Sequence, residues 1–177
     1  MKRSAAAEKA MQEIERSRHP VELRELIEGA SDEALKFRPG PNESSIVDVL
    51  RHIGDVEEMR QMRFDRILAV DNPLLERAVP TPGERDSEDA RVLLRRWERL
   101  RQRALERLSA MSEEQWRRIG TQAPDPHVGR VKPFVTDVLD QAVRINEHSG
   151  DHLGQVWKNL ASFRLGRIAE KGPQVAH

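Results

Sequence analysis

Two histidines four residues apart, His148 and His152, carry the clearest chemical signal in the sequence. This spacing places both imidazoles on one face of a helix, one turn apart. A third histidine, His52, lies in a separate apolar stretch that also has helical periodicity. If the three side chains meet between packed helices, they form a site for a divalent metal ion with coordination positions left for water or substrate.

The chemistry of such a site follows from its neutral ligands. A metal ion held by three imidazoles keeps its positive charge, which lowers the pKa of a bound water or thiol. Three nearby carboxylates, Asp55, Glu147 and Asp151, are candidates to orient the imidazoles by accepting hydrogen bonds, with solvated helix carboxylates as the alternative. The histidine pair also has a plainer interpretation, as ordinary helix residues hydrogen-bonded to Glu147 or Asp151.

The bulk properties predict a single domain with no general affinity for polyanions. The chain has 177 residues, enough to bury a sizeable core, and its 30 basic and 30 acidic side chains cancel. The absence of cysteine excludes disulfides, thiolate ligands and a cysteine nucleophile. No apolar run approaches the ~20 residues that span a bilayer, and the first residues lack the apolar region of a signal peptide. We therefore expect a cytoplasmic protein.

Apolar residues recur at helical spacing along most of the chain, and no stretch alternates long enough to predict a strand. The pattern predicts an N-terminal helical segment and four further helices, the second of which begins with a capping-box-like sequence at Ser45. The predicted bounds are about Ser4–Arg18, Pro20–Gly29, Ser45–Val70, Ser87–Ala110 and Phe134–Phe163, with a capped single turn at Ser112–Trp116. These elements predict an all-α four-helix bundle.

The domain organisation follows from the same pattern. We expect one domain over residues 1–177, with an N-terminal extension at about 1–13 and a flexible tail at about 166–177. The connection Asp71–Arg85 is rich in Pro, Gly and acidic residues and is long enough to cross one end of the bundle. The third helix therefore need not run antiparallel to the second.

Other chemistry-bearing residues have plainer interpretations. His127, in the proline-containing segment Thr121–Pro133, is a candidate fourth ligand or general base, although a loop histidine without a spaced partner is more often solvated. His19 and His177 lie in poorly anchored positions and need no role. The three tryptophans are expected as core or interface anchors rather than as pocket walls: Trp97, Trp116 and Trp157.

Arginines crowd the third predicted helix, where a nucleic-acid-binding protein would place them against phosphates. They are spread around the helix among glutamates, and the chain has no net positive charge. A solvated, partly paired helix surface is the favoured interpretation. The arginines are Arg91, Arg95, Arg96, Arg99, Arg101, Arg103 and Arg107.

Several segments, taken in order, resemble the DinB/YfiT-like superfamily over roughly Ile14–Leu160. The resemblance rests on residues 20–31 in the first helix, SIVDVLRHIGD around His52, Arg63 with residues 71–73, and HSGDHLGQV around His148 and His152. Two features depart from the family pattern. The Trp that family members carry before a Ser or Thr is replaced in Ser44-Ser45, and the segment Asp125–Val131 matches poorly.

The resemblance implies a four-helix bundle with a long crossover connection between helices two and three. It also implies a divalent ion, commonly zinc or nickel, on His52, His148 and His152. Family members include thiol S-transferases that use low-molecular-weight thiols such as bacillithiol, a mycothiol-dependent isomerase, and proteins described as hydrolases. The resemblance also makes a homodimer plausible. Because residues 125–131 match the family poorly, the substrate of a family member cannot be assigned to this protein.

The leading hypothesis is a metal-dependent transferase or hydrolase in which metal-activated water or thiol attacks a small electrophilic substrate. Neither a nucleic acid nor a membrane is expected as a partner. The alternative is a non-catalytic helical bundle that binds a partner or small ligand and keeps the histidines as packing or pH-sensitive groups. The two hypotheses differ in whether the protein binds a metal.

Overall fold

Amphipathic helices account for most of the described chain. The structure is a computed structural model that describes residues 4–75, 83, 86–124 and 132–171. In chain order the elements are α1 (Ala5–Arg16), α2 (His19–Glu28), α3 (Asp32–Lys36), α4 (Ile46–Ala69), β1 (Leu74–Leu75), α5 (Ala90–Ala110), α6 (Glu113–Trp116), β2 (Ile119–Gln122), β3 (Phe134–Asp137) and α7 (Val138–Lys171). The predicted helical-bundle fold is confirmed.

The helix that carries His52 begins at a capping box. Asp48 donates its N–H to Ser45 Oγ at 3.2 Å, and the Asp48 carboxylate accepts the Ser45 N–H at 2.8 Å. This exchange satisfies two backbone donors that the first turn would otherwise leave unpaired. The predicted start of this helix is therefore confirmed, and His52 lies about two turns beyond the capped end.

Contacts between side chains give the helix directions. Glu58 pairs with Arg96, and Asp65 pairs with Arg107 further along both helices, so α4 and α5 are parallel. Arg60 contacts Gln141, whereas His52, earlier in α4, contacts His148, later in α7, so these two helices are antiparallel. Parallel neighbours require a connection that returns along the length of the bundle rather than across one end, and the prediction that the third helix need not run antiparallel to the second is confirmed.

Two apolar clusters fill the bundle. Helices α4, α5 and α7 contribute to both, while α2 contributes to one cluster and α1 to the other. Ala7 and Met11 are buried in α1, so the segment predicted as an N-terminal extension contributes to the core. The largest fully buried side chains include Trp97, Trp116, Phe64, Leu23, Ile27, Leu50, Ile53 and Leu108. None of the helices in the described residues combines the length and apolarity needed to cross a membrane.

A small sheet was missed by the sequence analysis. β1 pairs in parallel with β2, and β2 pairs antiparallel with β3. Strands of two to four residues are too short for alternation to be recognised, and β3 occupies the predicted start of the last helix. That helix begins at Val138 rather than near Phe134, and it continues to Lys171, beyond the predicted end near Phe163. The sheet joins the crossover connection to the start of α7.

The sheet packs closely on α4 at Gly120. A Cβ atom at this position would lie 2.9 Å from Leu75 Cδ1 and 3.1 Å from Ile67 Cγ1, both in buried side chains. We predict that Gly120→Ala lowers the free energy of unfolding by about 1–3 kcal/mol, as overpacked cores do. Urea denaturation measures this change.

A matched glycine provides the control. A Cβ atom at Gly154, within α7, would have no neighbour within 4 Å. Gly154→Ala should therefore raise the free energy of unfolding by up to about 1 kcal/mol, because alanine favours a helix more than glycine does. Equal effects at both glycines would contradict the tight packing at Gly120.

Candidate metal centre

The structure brings the three predicted histidines together where α4 and α7 face each other. His52 Nε2 lies 3.2 Å from His148 Nε2, and the centroid of the His152 ring lies 4.9 Å and 4.5 Å from those of His52 and His148. One ring nitrogen from each residue lies within 4.8 Å of the others. His52 is exposed, whereas His148 and His152 are partly buried, so the cluster borders solvent on the α4 side.

The distance between two of the nitrogens fits a metal ion. Tetrahedral zinc with bonds of about 2.0–2.1 Å to nitrogen holds its ligand nitrogens about 3.3 Å apart. The 3.2 Å separation of the His52 and His148 nitrogens matches this value. The His52 and His148 nitrogens are therefore spaced to hold one ion, and His152, with a ring nitrogen within 4.8 Å of both, could supply a third ligand and leave a coordination position open.

Gln155 orients one imidazole of the cluster. His152 Nδ1 lies 2.9 Å from Gln155 Oε1, an atom that only accepts hydrogen bonds, so Nδ1 is the protonated nitrogen. In the neutral ring this leaves the lone pair of Nε2 available to a metal. Sequence reasoning missed Gln155, although its i, i+3 position relative to His152 is a recognisable signal.

His148 is neutral near physiological pH. Burial is the largest cause of its lowered pKa, followed by the neighbouring imidazoles of His152 and His52 and the charges of Arg60 and Arg101. Together they lower the pKa of His148 to about 3. Neutral imidazole is the form that binds metals, so His148 needs no deprotonation step at pH 7.

The predicted orienting carboxylates have other environments. Asp55 forms an ion pair with Arg96 at 3.0 Å, and Arg96 also pairs with Glu58 at 2.6 Å. Glu147 and Asp151 are exposed on α7, which agrees with their alternative interpretation as solvated helix carboxylates.

His19, for which no role was expected, packs beside the cluster. Its Nδ1 lies 3.0 Å from Ser149 Oγ, and its ring abuts Gly150, where a Cβ atom would lie 3.2 Å from His19 Cε1. Burial, and secondarily the charge of Arg101, lowers its pKa. The expectation that His19 is poorly anchored was wrong. His127 and His177 lie outside the described residues.

The interpretation of the arginines of α5 as a solvated surface was wrong for Arg96 and Arg101. Both are buried, and Arg101 forms two hydrogen bonds with the buried Glu57, at 2.9 and 3.0 Å. Arg101 also donates to the Ile145 carbonyl at 3.1 Å. This cluster of buried charges ties α4, α5 and α7 together next to the histidines. The sequence signal for their burial was the presence of charged residues within the apolar stripe of the helix.

The tryptophans divide between core and surface. Trp97 and Trp116 are buried, as the core interpretation predicted, and Arg101 stacks over the Trp97 ring at 5.1 Å. Trp157 is 52% exposed on α7.

Comparisons with known proteins agree with this architecture. A family model described as the DinB superfamily matches residues 15–156. Among solved structures, the chain is similar to YfiT from Bacillus subtilis, described as a probable metal-dependent hydrolase with an unusual four-helix bundle topology. The match has 18% identity and a TM-score of 0.68, and it covers 90% of this chain and 87% of that chain. At this identity it shows a shared fold. No curated protein matches the sequence.

Variants of the buried Glu57–Arg101 ion pair test how the site is held together. Glu57→Leu leaves Arg101 buried without its carboxylate, so we predict a loss of about 3–5 kcal/mol in the free energy of unfolding. Arg101→Met should cost a similar amount, because it leaves Glu57 unpaired. Urea denaturation at pH 7 measures both.

The double variant Glu57→Leu/Arg101→Met completes the cycle. It removes both charges at once, so we expect it to be more stable than either single variant. A double variant that loses the sum of the two single effects would show that the charges act independently.

Proposed function

Because the chain belongs to the DinB superfamily, we propose that it is a divalent-metal-dependent enzyme whose metal ion is held by His52, His148 and His152. The observation that carries this proposal is the convergence of one nitrogen from each histidine within 4.8 Å. The description of YfiT as a probable metal-dependent hydrolase supports the same class of chemistry. Zinc and nickel are the ions we favour, because both suit imidazole ligands.

We propose that the reaction is the attack of water or a low-molecular-weight thiol on a small electrophilic substrate. When bound, the ion supplies positive charge that lowers the pKa of the nucleophile. The chain's own residues prepare the site. Gln155 fixes the His152 tautomer, and the solvent-facing side at His52 gives access to substrate. A thiol nucleophile makes the protein an S-transferase, and water makes it a hydrolase.

Metal content tests this proposal directly. Protein purified without a His-tag and incubated with zinc or nickel should retain about one ion per chain after gel filtration, as measured by elemental mass spectrometry. Alanine at His52, His148 or His152 should each reduce the content below about a tenth of an equivalent, because two imidazoles bind too weakly to survive the separation.

His19→Ala is the matched control, because it removes a neighbouring imidazole that lies outside the cluster. This variant should keep its metal. Turnover of electrophilic esters in water, or of electrophiles supplied with a thiol, should disappear in the same three variants that lose the ion. A His148→Ala variant that keeps a full equivalent would exclude the proposed ligand set.

The hydrogen bond from His152 to Gln155 gives a finer prediction. Gln155→Leu preserves the size of the side chain but removes the acceptor for the Nδ1 proton. We expect metal affinity to fall about 10–100-fold, as for other hydrogen bonds that orient ligating imidazoles. Competition with a chromogenic chelator measures the change, and Gln155→Glu should restore affinity because a carboxylate accepts the same proton.

A further inference from the structure

A buried guanidinium that has no carboxylate partner among the described residues lies near the histidine cluster. Arg60 is only 9% exposed, and its one hydrogen bond to a described residue is the donation from Nη1 to Gln141 Oε1 at 3.3 Å. Its Nε is buried and has no hydrogen-bond partner among the described residues. A buried charge is costly unless it is paired, so this position needs an explanation.

The neighbouring carboxylates are engaged by other groups. Glu57 receives two hydrogen bonds from Arg101. Asp140 accepts from Arg144 Nε at 2.9 Å and from Thr136 Oγ1 at 2.7 Å. Arg60 nevertheless remains charged near neutral pH, because burial, helped by the charge of Arg63, lowers its pKa only to about 10.

The surroundings of Arg60 are fixed by hydrogen bonds. Gln141 Nε2 donates to Thr136 Oγ1 at 2.9 Å, which directs Gln141 Oε1 towards the guanidinium. Thr136 in turn donates to Asp140. This chain of bonds anchors the Nη1 end of the group while Nε is left without an acceptor among the described residues. Such preorganisation is typical of ligand-binding side chains.

Arg60 and the histidines lie along the same helix interface. The His52–His148 contact and the Arg60–Gln141 contact both join α4 to α7. Arg60 follows His52 by eight residues, a rise of about 12 Å along the helix. The extended Arg60 side chain and a ligand of a few carbon atoms together span the distance between this position and the histidine cluster.

We propose that Arg60 binds the carboxylate of a small ligand whose other end lies at the histidine cluster. This inference rests on the proposed function, since it names the substrate class of that site. The planar guanidinium presents hydrogen-bond donors along its edge and pairs with carboxylates through two parallel bonds. A single negative charge compensates the single positive charge of Arg60.

Thermal unfolding with a panel of carboxylates tests the proposal. Acetate, succinate and benzoate are compared with acetamide, succinamide and benzamide at equal ionic strength, using zinc-loaded and chelator-treated protein. At least one carboxylate should raise the Tm saturably, while its neutral amide should not. In Arg60→Met the apparent affinity for that carboxylate should fall at least about tenfold.

Two variants separate a binding role from a structural one. Arg66→Met removes an exposed arginine from the same helix and should leave the carboxylate response unchanged. Without ligand, Arg60→Met should keep or raise the Tm, because methionine needs no partner in a buried position. If Arg60→Met does not fold, Arg60→Lys keeps the charge but loses the paired geometry, and should weaken the response.

The outcomes distinguish this inference from the metal proposal. Zinc binding with no carboxylate response in the wild-type protein would overturn the role of Arg60 and leave the metal centre intact. An equal response in wild type and Arg60→Met would also overturn it. A response that depends on Arg60 in protein that binds no metal would support the carboxylate site while overturning the proposed metal enzyme.

Discussion

The buried ion pair between Glu57 and Arg101 is the interaction on which the geometry of the site depends. Arg101 binds the Glu57 carboxylate on α4 and the Ile145 carbonyl on α7, so one guanidinium joins three helices. If one helix shifted by one residue relative to its neighbours, the side chain at each contact would be rotated by about 100° around the helix axis. The pair resists such a slip between the helices that carry His52 and His148, because the slip would break buried hydrogen bonds.

The same arrangement makes the surroundings of the histidines electropositive. His148 is neutral, while the buried Arg60 and Arg101 carry positive charge close enough to lower the pKa of this histidine. A bound metal ion would add to this field. Electrostatics of this kind favour an anionic nucleophile or an anionic substrate over a cationic one. The balanced net charge of the whole chain conceals this local asymmetry.

Much of this architecture could be predicted from the sequence, because its signals are local. Helical periodicity and the Ser45 cap are properties of neighbouring residues, and the i, i+4 spacing placed His148 beside His152. The segments that resemble the DinB superfamily, in the same order along the chain, then indicated that His52 belongs to the same site. The structure brings these three together.

The remaining features depend on contacts between distant residues. Burial of Arg96 and Arg101 is decided by which face of α5 meets α4, and periodicity does not specify that contact in a helix with arginines on every side. His19 meets Ser149 across 130 positions of sequence. Strands as short as β1 are defined by their partners rather than by their own residues.

Diffraction from a zinc-soaked crystal, measured on both sides of the zinc absorption edge, shows whether the three histidines hold a metal ion. We expect one anomalous peak bonded to nitrogens of His52, His148 and His152 at about 2.0–2.1 Å. We also expect the Nδ1 of His152 to stay hydrogen-bonded to Gln155. A zinc-saturated crystal with no peak between these three rings would show that the histidines do not form a metal site.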